Sequence, residues 1–339
     1  MRLLVTGGCG FIGANFLHHL LGTHDNAFVV NLDKLTYAGN PLSVKALEDR
    51  YPERYVFAHG DIGDQDLVMG LLEGHQIEAV VNFAAESHVD RSISDPAPFV
   101  TTNVMGTQVL LECARQHKIE RFVHISTDEV YGSLGPEGAF SETTPLAPNS
   151  PYSASKASAD LLCRAYFKTY NFPVLVTRCS NNYGPYQFPE KLIPLMIQKA
   201  GANEPLPVYG DGQHVRDWIY VLDHCRGVEL TLTKGKEGKV YNFGGASELP
   251  NIEVVKTILT ALGKDESLIR YVKDRPGHDR RYAMDYSLAE KELGFVPEFD
   301  FSRGIAETIA WYEANQDWME SVQSGAYREF MSRWYKERV

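Results

Sequence analysis

The chain has 339 residues, of which 44% are hydrophobic and 23% are charged. That composition suits a soluble globular protein with one large or two smaller domains. The formal net charge of -11 argues against a protein that binds nucleic acid or a membrane surface as a whole. No apolar run is long enough to span a bilayer, and the five cysteines show no C-x-x-C spacing. We therefore expect reduced thiols, a cytoplasmic location, and neither a nucleic-acid nor a membrane partner.

The N-terminal segment predicts a strand, a glycine turn and a helix. Apolar residues 3–5 lead into the pattern Gly7-x-x-Gly10-x-x-Gly13, after which apolar residues recur at helical spacing. A second strand of buried type, residues 28–33, ends in Asp33. Such a unit can present helix N-terminal amides to a pyrophosphate and an acid to an adenosine ribose, although Asp33 could instead cap the strand end. It predicts a site that prefers NAD over NADP, because Asp33 repels a 2′-phosphate.

Alternation of apolar runs with helix-length segments continues through the first half of the chain. The runs lie at residues 55–58, 79–83, 121–125 and 174–177. Parallel strands joined by helices are the simplest solution for such a pattern. The predicted fold class is α/β, a doubly wound parallel Rossmann sheet with a smaller mixed α/β substrate-binding domain.

The later pattern predicts how the chain divides into domains. The NAD-binding domain is expected at residues 1–182, with a return segment at about 213–245. The substrate-binding domain is expected at residues 183–212 and 246–339, where Pro-rich loops, a short strand near residues 206–209 and a helix near residues 252–262 occur. Two long helices, residues 98–117 and 152–170, carry apolar residues on more than one face. This excess predicts a homodimer through those helices.

Polar and small residues at the ends of the third and fourth strands are candidate ligand contacts. Asp61 and the pair Ala84-Ala85 lie at the carboxyl edge of the predicted sheet, where ligands bind in such folds. A turn or N-cap role for Asp61 is almost as well supported. Asn103, in the following helix, could be solvated or could form a buried bridge.

Five residues predict a dehydrogenase site with additional acid–base capacity. Tyr152 and Lys156 are one helical turn apart, so the cation can hold the phenol in a proton-accepting state. Thr127 can complete a proton path to that phenol. Asp128 and Glu129 add an acid and a base that plain alcohol oxidation does not need, although adjacent acids in loops are often simply solvated.

A second cluster of donors suits an anionic substrate. The segments 181–185 and 274–281 are rich in turn-forming residues, and the second contains Arg275, His278, Arg280 and Arg281. Together with Lys191 and Arg216, these cations could bind a diphosphate. No His, Cys and Asp group has convincing metal-ligand spacing, so no metal is predicted.

These residues carry a resemblance to a known family. The most specific segments are residues 32–40, 84–92, 126–132, 181–185 and 274–278. With them in view, nearly the whole chain resembles the dTDP-glucose 4,6-dehydratases, extended short-chain dehydrogenases/reductases that act on nucleotide sugars. Cys9 stands where the family commonly has a small residue such as alanine.

The resemblance implies a reaction in three stages, with NAD as cofactor and dTDP-glucose as substrate. Tyr152, helped by Thr127 and Lys156, would take the sugar 4-hydroxyl proton as hydride leaves C4 for NAD. Glu129 would remove the C5 proton while Asp128 protonates the departing C6 hydroxyl. Hydride return to C6 would give a 4-keto-6-deoxy sugar nucleotide, a step of deoxysugar biosynthesis.

The resemblance also implies contact residues for both ligands. The cofactor positions are Gly7, Gly10, Phe11, Ile12, Gly13, Asp33, Lys34, Thr36, Asp61, Ile62, Ala84, Ala85, Thr102, Tyr152, Lys156 and Asn182. The substrate positions are Ser87, His88, Thr127, Asp128, Glu129, Asn181, Lys191, Leu192, Pro207, Tyr209, Arg216, Asn251, Arg275 and His278. Asn251 also fits as the N-cap of a helix that starts at Ile252.

Two alternative functions share parts of this site. A nucleotide-sugar 4-epimerase on the same fold would keep Tyr152 and Lys156 but would have no use for Asp128 and Glu129. A regulatory NAD-binding protein without catalysis would be expected to have lost the Tyr152 and Lys156 pair, which is intact.

Overall fold

A seven-stranded parallel sheet forms the centre of the molecule. The structure is a computed structural model that describes residues 1–274 and 277–323. The strands are β1 (Arg2–Thr6), β2 (Phe28–Asp33), β3 (Tyr55–His59), β4 (Ala79–Asn82), β5 (Arg121–Thr127), β6 (Val174–Cys179), β7 (Asn181–Tyr183), β8 (Leu206–Tyr209), β9 (Val215–Tyr220), β10 (Val240–Phe243), β11 (Glu248–Pro250) and β12 (Ile269–Val272).

The helices connect these strands. They are α1 (Phe11–Thr23), α2 (Lys45–Arg50), α3 (Gln65–Gly74), α4 (Val89–Ser94), α5 (Ala97–Phe99), α6 (Thr107–His117), α7 (Pro151–Tyr170), α8 (Leu192–Gly201), α9 (Val221–Lys234), α10 (Asn251–Ala261), α11 (Ser287–Leu293), α12 (Phe301–Ala314) and α13 (Gln316–Val322). In the part of the chain that the structure describes, no helix combines the length and apolar character needed to cross a membrane.

Strand order in the large sheet is β3-β2-β1-β4-β5-β6-β10, with every neighbouring pair parallel. All strands run in the same direction, but the order in which the chain adds them reverses between β1 and β4, which is the position where doubly wound sheets bind dinucleotides. Alternate side chains of β1 enter different cores: Leu3 and Val5 pack toward α1 and α9, and Leu4 packs toward α3 and α6. The predicted fold class is therefore confirmed.

A second core lies beyond the carboxyl edge of this sheet. It combines the three-stranded sheet β11-β9-β7 and the two-stranded sheet β12-β8 with apolar faces of α8, α10 and α12. The chain passes between the two cores within the predicted return segment. There β9 belongs to the small sheet, whereas α9 packs on β5 and β6 and β10 extends the large sheet.

The predicted helix over residues 98–117 is interrupted. Between α5 and α6 the backbone forms a π-helical stretch, Val100–Gly106. Gly106 faces Ile62 so closely that a Cβ there would lie 2.7 Å from the Ile62 Cδ1 atom. Such stretches occur often at functional sites, and this one contains Asn103.

Candidate active site

The glycine turn brings backbone atoms close together at the start of α1. A Cβ on Gly13 would lie 2.3 Å from the Gly7 carbonyl oxygen, and one on Gly7 would lie 2.6 Å from the Ala84 nitrogen. Gly7 also has a φ of +71°, which side chains rarely adopt. Helix α1 begins at Phe11 with no side-chain cap. Its first-turn amides and the positive end of its dipole therefore form a cradle that suits a diphosphate.

Asp33 occupies the end of β2 beside this turn. Its carboxylate accepts hydrogen bonds from the backbone nitrogens of Cys9 and Leu35, each at 2.8 Å. Burial raises the pKa of Asp33, and those two amides act against that shift. Asp33 thus fixes the local loops and also lines the cleft, so the two sequence-based roles are compatible.

One cleft contains every residue predicted for the cofactor, from Gly7 to Asn182. At its rim the Lys34 ammonium lies 2.6 Å from the Asp61 carboxylate, which also accepts from the Gly63 amide at 2.8 Å. Six predicted substrate residues line the same cleft: Ser87, Thr127, Asp128, Glu129, Asn181 and Lys191. Buried oxygens of Ser126, Asp128 and Asn181 lack a hydrogen-bond partner among the described residues. A polar ligand in the cleft would supply such partners, so the lining fits a sugar and a dinucleotide.

Helix α7 positions the tyrosine and the lysine. It starts at Pro151 after a capping box in which Ser150 and Ser153 exchange hydrogen bonds. Tyr152 therefore lies in the first turn and Lys156 one turn later, both buried. The Lys156 ammonium donates to the Ile125 carbonyl at 2.7 Å. Burial lowers the pKa of Lys156, against the opposing effect of Asp160.

The two acids follow directly from the end of β5. Residues Asp128–Tyr131 form a short 3-10 turn capped by Thr127, whose hydroxyl accepts from the Glu129 amide at 3.3 Å and donates to the Asp128 carboxylate at 3.1 Å. Asp128 is buried. Burial and then the Glu129 charge raise its pKa well above the ordinary value, and Arg216 acts in the opposite direction. Burial therefore favours the protonated form of the Asp128 carboxyl.

Tyr152 has an environment that keeps its phenol protonated at rest. Burial and the charge of Glu129 raise its pKa well above the ordinary value, whereas a hydrogen bond with Thr127 lowers it. The sequence suggested Lys156 as the group that holds the phenol ready to accept a proton. In the structure Thr127 is close enough to the phenol to lower its pKa, and the Lys156 ammonium donates to the Ile125 carbonyl at the end of β5.

Asn103, whose role the sequence left open, is a buried bridge. Its oxygen accepts from the Glu86 amide at 2.9 Å, and its amide group donates to the Ser155 hydroxyl at 2.8 Å. Ser155 in turn donates to the Tyr152 carbonyl at 2.7 Å. Asn103 therefore ties the loop after β4 to the start of α7. Sequence reasoning could not establish this, because the π-helical stretch that turns Asn103 inward gives no periodic signal.

The other predicted substrate residues that the structure describes lie outside the lining of that cleft. His88 caps α4 by accepting from the Arg91 amide at 3.3 Å, Leu192 begins α8, and Pro207 lies on β8. Tyr209 donates to Asp90 at 3.2 Å. Lys191, which does line the cleft, donates through its ammonium to the Ser87 carbonyl at 3.0 Å. Arg275 lies outside the described residues.

Arg216 and Asn251 are placed where the second core meets the site. Arg216 is buried, donates to the Asp279 carbonyl at 2.9 Å and lies over the Tyr282 ring. The positive charge of Arg216 acts to lower the pKa of Asp128. The N-cap prediction for Asn251 is wrong, because Asn251 is itself the first residue of α10 and Pro250 precedes it. Its side-chain oxygen is buried without a hydrogen-bond partner among the described residues.

The fold also assembles a group that sequence spacing did not show. Within residues 1–274 and 277–323, potential ligand atoms of His214, Asp274 and His278 lie within 4.8 Å of one another. Asp274 already contacts both rings, at 3.2 Å and 2.6 Å. Burial lowers the pKa of His214, and although Asp274 opposes this, Arg216 and Arg280 add to it. Nearby cations disfavour a metal ion, so we interpret the group as a hydrogen-bonded cluster.

Comparison with known proteins identifies the relatives of this chain. The family model for GDP-mannose 4,6 dehydratase matches residues 4–308. The dTDP-glucose 4,6-dehydratase of Xanthomonas campestris pv. campestris strain B100 is 56% identical, over 96% of this chain and 97% of that protein. The crystal structure of dTDP-glucose 4,6-dehydratase from Bacillus anthracis in complex with NAD is 49% identical with a TM-score of 0.90, over 95% of this chain and 100% of that one.

An epimerase is also similar, at a lower level. The UDP-glucose 4-epimerase of Thermotoga maritima with UDP-glucose is 28% identical with a TM-score of 0.87, over 93% of this chain and 100% of that chain. The fold is thus shared by both enzyme classes, whereas identity over the full length favours one of them. The resemblance inferred from the sequence is confirmed, and this chain belongs to the family of the NAD-dependent dTDP-glucose 4,6-dehydratases.

Proposed function

We propose that this protein converts dTDP-glucose to dTDP-4-keto-6-deoxyglucose and water, with NAD as a cofactor regenerated in each turnover. The observation that carries the proposal is the placement of Asp128 and Glu129 beside Thr127, Tyr152 and Lys156 in one cleft. Oxidation at C4 requires only the last three residues. Loss of water between C5 and C6 requires one base and one acid in addition.

The chain's own residues account for cofactor binding. The backbone turn at Gly7 and Gly13 would receive the diphosphate, and Asp33 would receive the adenosine ribose. Lys34 and Asp61 flank the opening on the adenosine side. When bound, NAD supplies a reversible hydride acceptor with a positively charged ring.

The proton transfers divide among five side chains. Tyr152 takes the proton of the 4-hydroxyl as a phenolate, with Thr127 beside it. The buried Lys156 ammonium and the positive charge of bound NAD would favour that phenolate, against the burial and the Glu129 charge that raise the pKa of the phenol. The resulting ketone at C4 makes the C5 proton acidic, and Glu129 removes it. Asp128, held protonated by burial and by Glu129, gives its proton to the departing C6 hydroxyl. The unequal burial of the two acids fits this division of roles.

A 4-epimerase is the second candidate, favoured by the likeness to the Thermotoga maritima enzyme. An epimerase would use Tyr152 and Lys156 in the same manner, but it needs no proton donor at C6. The buried, raised-pKa carboxyl of Asp128 has no role in that reaction. This residue favours the dehydratase.

We also infer a homodimer through the two long helical segments. Large apolar side chains on them are exposed, namely Val100 (51%), Met105 (60%), Leu161 (56%) and Tyr170 (54%). Exposed large apolar side chains on neighbouring helices are typical of a symmetric interface. The buried cysteine thiols support the predicted cytoplasmic location.

Product analysis tests the proposed reaction together with its specificity for the nucleotide of the substrate. The protein is incubated with the glucose and mannose conjugates of dTDP, UDP, CDP and GDP, and products are identified by mass spectrometry and NMR. We expect a 4-keto-6-deoxy product with dTDP-glucose and slower or no conversion of the others. An inverted hydroxyl at C4 with no loss of water would favour the epimerase instead.

A further inference from the structure

A buried histidine outside the proposed catalytic set contacts the cofactor side of the cleft. His224 lies on α9 and is fully buried. Its Nδ1 atom is 2.9 Å from the Oδ1 atom of Asn182. Asn182 lies on β7 and lines the cleft in which we propose that NAD binds.

The contacts of Asn182 determine which atom of the histidine carries the proton. The Asn182 Nδ2 atom donates to the Ser180 carbonyl at 3.0 Å and to the Cys179 sulfur at 3.2 Å. The reversed amide would place two oxygens against each other at Ser180, so Oδ1 faces the histidine. His224 must then be the donor through Nδ1–H, because an amide oxygen can only accept.

The other ring nitrogen of His224 argues against a role in packing alone. The Nε2 atom is buried and has no hydrogen-bond partner among the described residues. Burial lowers the pKa of His224 to about 3, so the ring is neutral at physiological pH. An unpartnered buried acceptor costs stability, and an aliphatic side chain would avoid that cost. What the histidine adds at this position is its Nδ1–H donor.

We propose that His224 is a positioning residue for the cofactor, which it serves by fixing the Asn182 amide in the cleft. With Oδ1 held by His224, only the bond to the Cys179 sulfur is weak, since a thiol is a poor acceptor. That amide hydrogen is therefore the one that a stronger acceptor on the cofactor can take. Ordering the amide beforehand removes part of the entropic cost of binding. The inference rests on the proposed function only in that Asn182 is taken to contact NAD.

Two substitutions separate positioning from packing, because we expect melting temperature and retention of NAD to rank them in opposite orders. An asparagine at position 224 can place its amide nitrogen near the position of Nδ1 and keep the donor, whereas leucine packs well but donates nothing. We expect His224→Leu to melt near the wild-type temperature, because removal of the unpartnered Nε2 offsets the lost donor to Asn182, and yet to release NAD about tenfold faster, as expected for one lost hydrogen bond. His224→Asn should melt lower and release NAD at nearly the wild-type rate.

The measurement is exchange of bound labelled NAD for excess unlabelled NAD in the intact holoenzyme, followed on a desalting column. Val228→Ala is the matched control. Val228 is buried on the same helix one turn later, and its replacement by alanine removes only apolar contact. It should lower the melting temperature without changing the exchange rate. Equal exchange in the leucine and asparagine variants, or equal acceleration by Val228→Ala, would overturn the proposal.

A double-mutant cycle with Asn182→Ala tests whether His224 acts on NAD exchange through Asn182. It does not depend on whether His224→Asn folds. In that background His224→Leu should have no further effect on NAD exchange, because the amide that His224 positions is gone. A further tenfold acceleration there contradicts the proposal. These readouts need no sugar substrate, so a failure to dehydrate dTDP-glucose would overturn the proposed function and leave the result on His224 intact.

Discussion

Asp128 and Glu129 are adjacent in sequence but differ in their surroundings. Asp128 is buried and accepts a hydrogen bond from the Thr127 hydroxyl, whereas Glu129 is partly exposed at the cleft. Each carboxyl group makes ionisation of its neighbour less favourable, and burial decides which of them stays protonated. Two side chains of the same chemical type can therefore act as acid and base in one turnover.

Replacing the base should affect elimination more than oxidation. We expect Glu129→Gln to reduce exchange of the C5 proton and loss of water by about 100-fold to 10,000-fold, the usual contribution of a general base. Oxidation at C4, followed as the transient rise in NADH absorbance after rapid mixing with dTDP-glucose, should fall much less. A Glu129→Gln enzyme that dehydrates at close to the wild-type rate would refute the assignment.

The raised pKa of Asp128 also predicts an effect on stability. In the unfolded chain this carboxyl ionises near pH 4, whereas burial keeps it protonated to higher pH in the folded chain. The folded state then binds more protons, so this group's contribution to stability falls as pH rises from the unfolded pKa to the folded one. Asp128→Asn should melt at least about 2 °C above the wild type at pH 7.

The same stability difference should disappear in acid. Below about pH 4 the carboxyl is protonated in both states, so the advantage of Asp128→Asn is lost. Thermal unfolding of both proteins from pH 4 to pH 8 measures this directly, and dehydration by the variant should be strongly reduced throughout. A melting-temperature gap that widens toward low pH would contradict the raised pKa.

At the scale of elements, the unit β1-turn-α1 was predictable because its requirements are local. The apolar strand, the three glycines and the acid at the end of β2 all lie within 33 residues of the N-terminus. The interruption of the next long helix was not predictable, because the low helix propensity of Val100–Gly106 does not distinguish a π-helical stretch from an α-helix that packing stabilises. Its π-helical form places Asn103 against Glu86 and Ser155, which belong to distant segments. Tertiary contacts decide that geometry.

Two glycines test whether the turn is required by close approach. In Gly13→Ala the new Cβ would meet the Gly7 oxygen at 2.3 Å, so the turn must shift. We expect NAD binding to weaken about tenfold or more, since overpacking costs about 1–3 kcal/mol. Gly70→Ala in α3 is the control, because a Cβ there meets nothing within 4 Å.

The control substitution should stabilise the protein by about 0.5–1 kcal/mol through helix propensity and leave NAD affinity unchanged. Titration calorimetry with the cofactor-free protein and chemical denaturation provide the two values. Unchanged NAD affinity in Gly13→Ala would show that the turn does not approach the cofactor as we propose.

At the scale of the whole molecule, the sequence pointed to the residues of the proposed catalytic set but not to the residues that support them. Tyr152 and Lys156 are recognisable because helix spacing puts them on one face, and Thr127 through Glu129 because they follow a strand. The contact between His224 and Asn182 joins residues 42 positions apart and has no spacing signal. For Asn251, a predicted substrate position, an N-cap role also fitted the sequence because capping preferences are local, whereas the backbone starts the helix one residue earlier.

Assembly of the molecule can be tested on its exposed apolar side chains. Leu161→Asp places a charge on the outer face of α7, where we infer the dimer interface, and should produce a monomeric mass in light scattering at micromolar concentration. Val296→Asp is the control, because Val296 is similarly exposed, at 50%, but lies outside both long helices. It should leave the dimer intact. A monomeric wild-type protein, or a Leu161→Asp variant that remains dimeric, contradicts the inferred interface.

The fate of one hydrogen atom tests the proposed reaction most directly. If oxidation, elimination and reduction occur on one bound sugar, deuterium placed at C4 of dTDP-glucose must reappear at C6 of the same molecule. The protein is given a mixture of C4-deuterated dTDP-glucose and undeuterated dTDP-glucose labelled with carbon-13, and the products are analysed by mass spectrometry. We predict deuterium at C6 only in the products that lack carbon-13. Deuterium in the carbon-13 products, or NADH that accumulates in proportion to sugar consumed, would contradict the account.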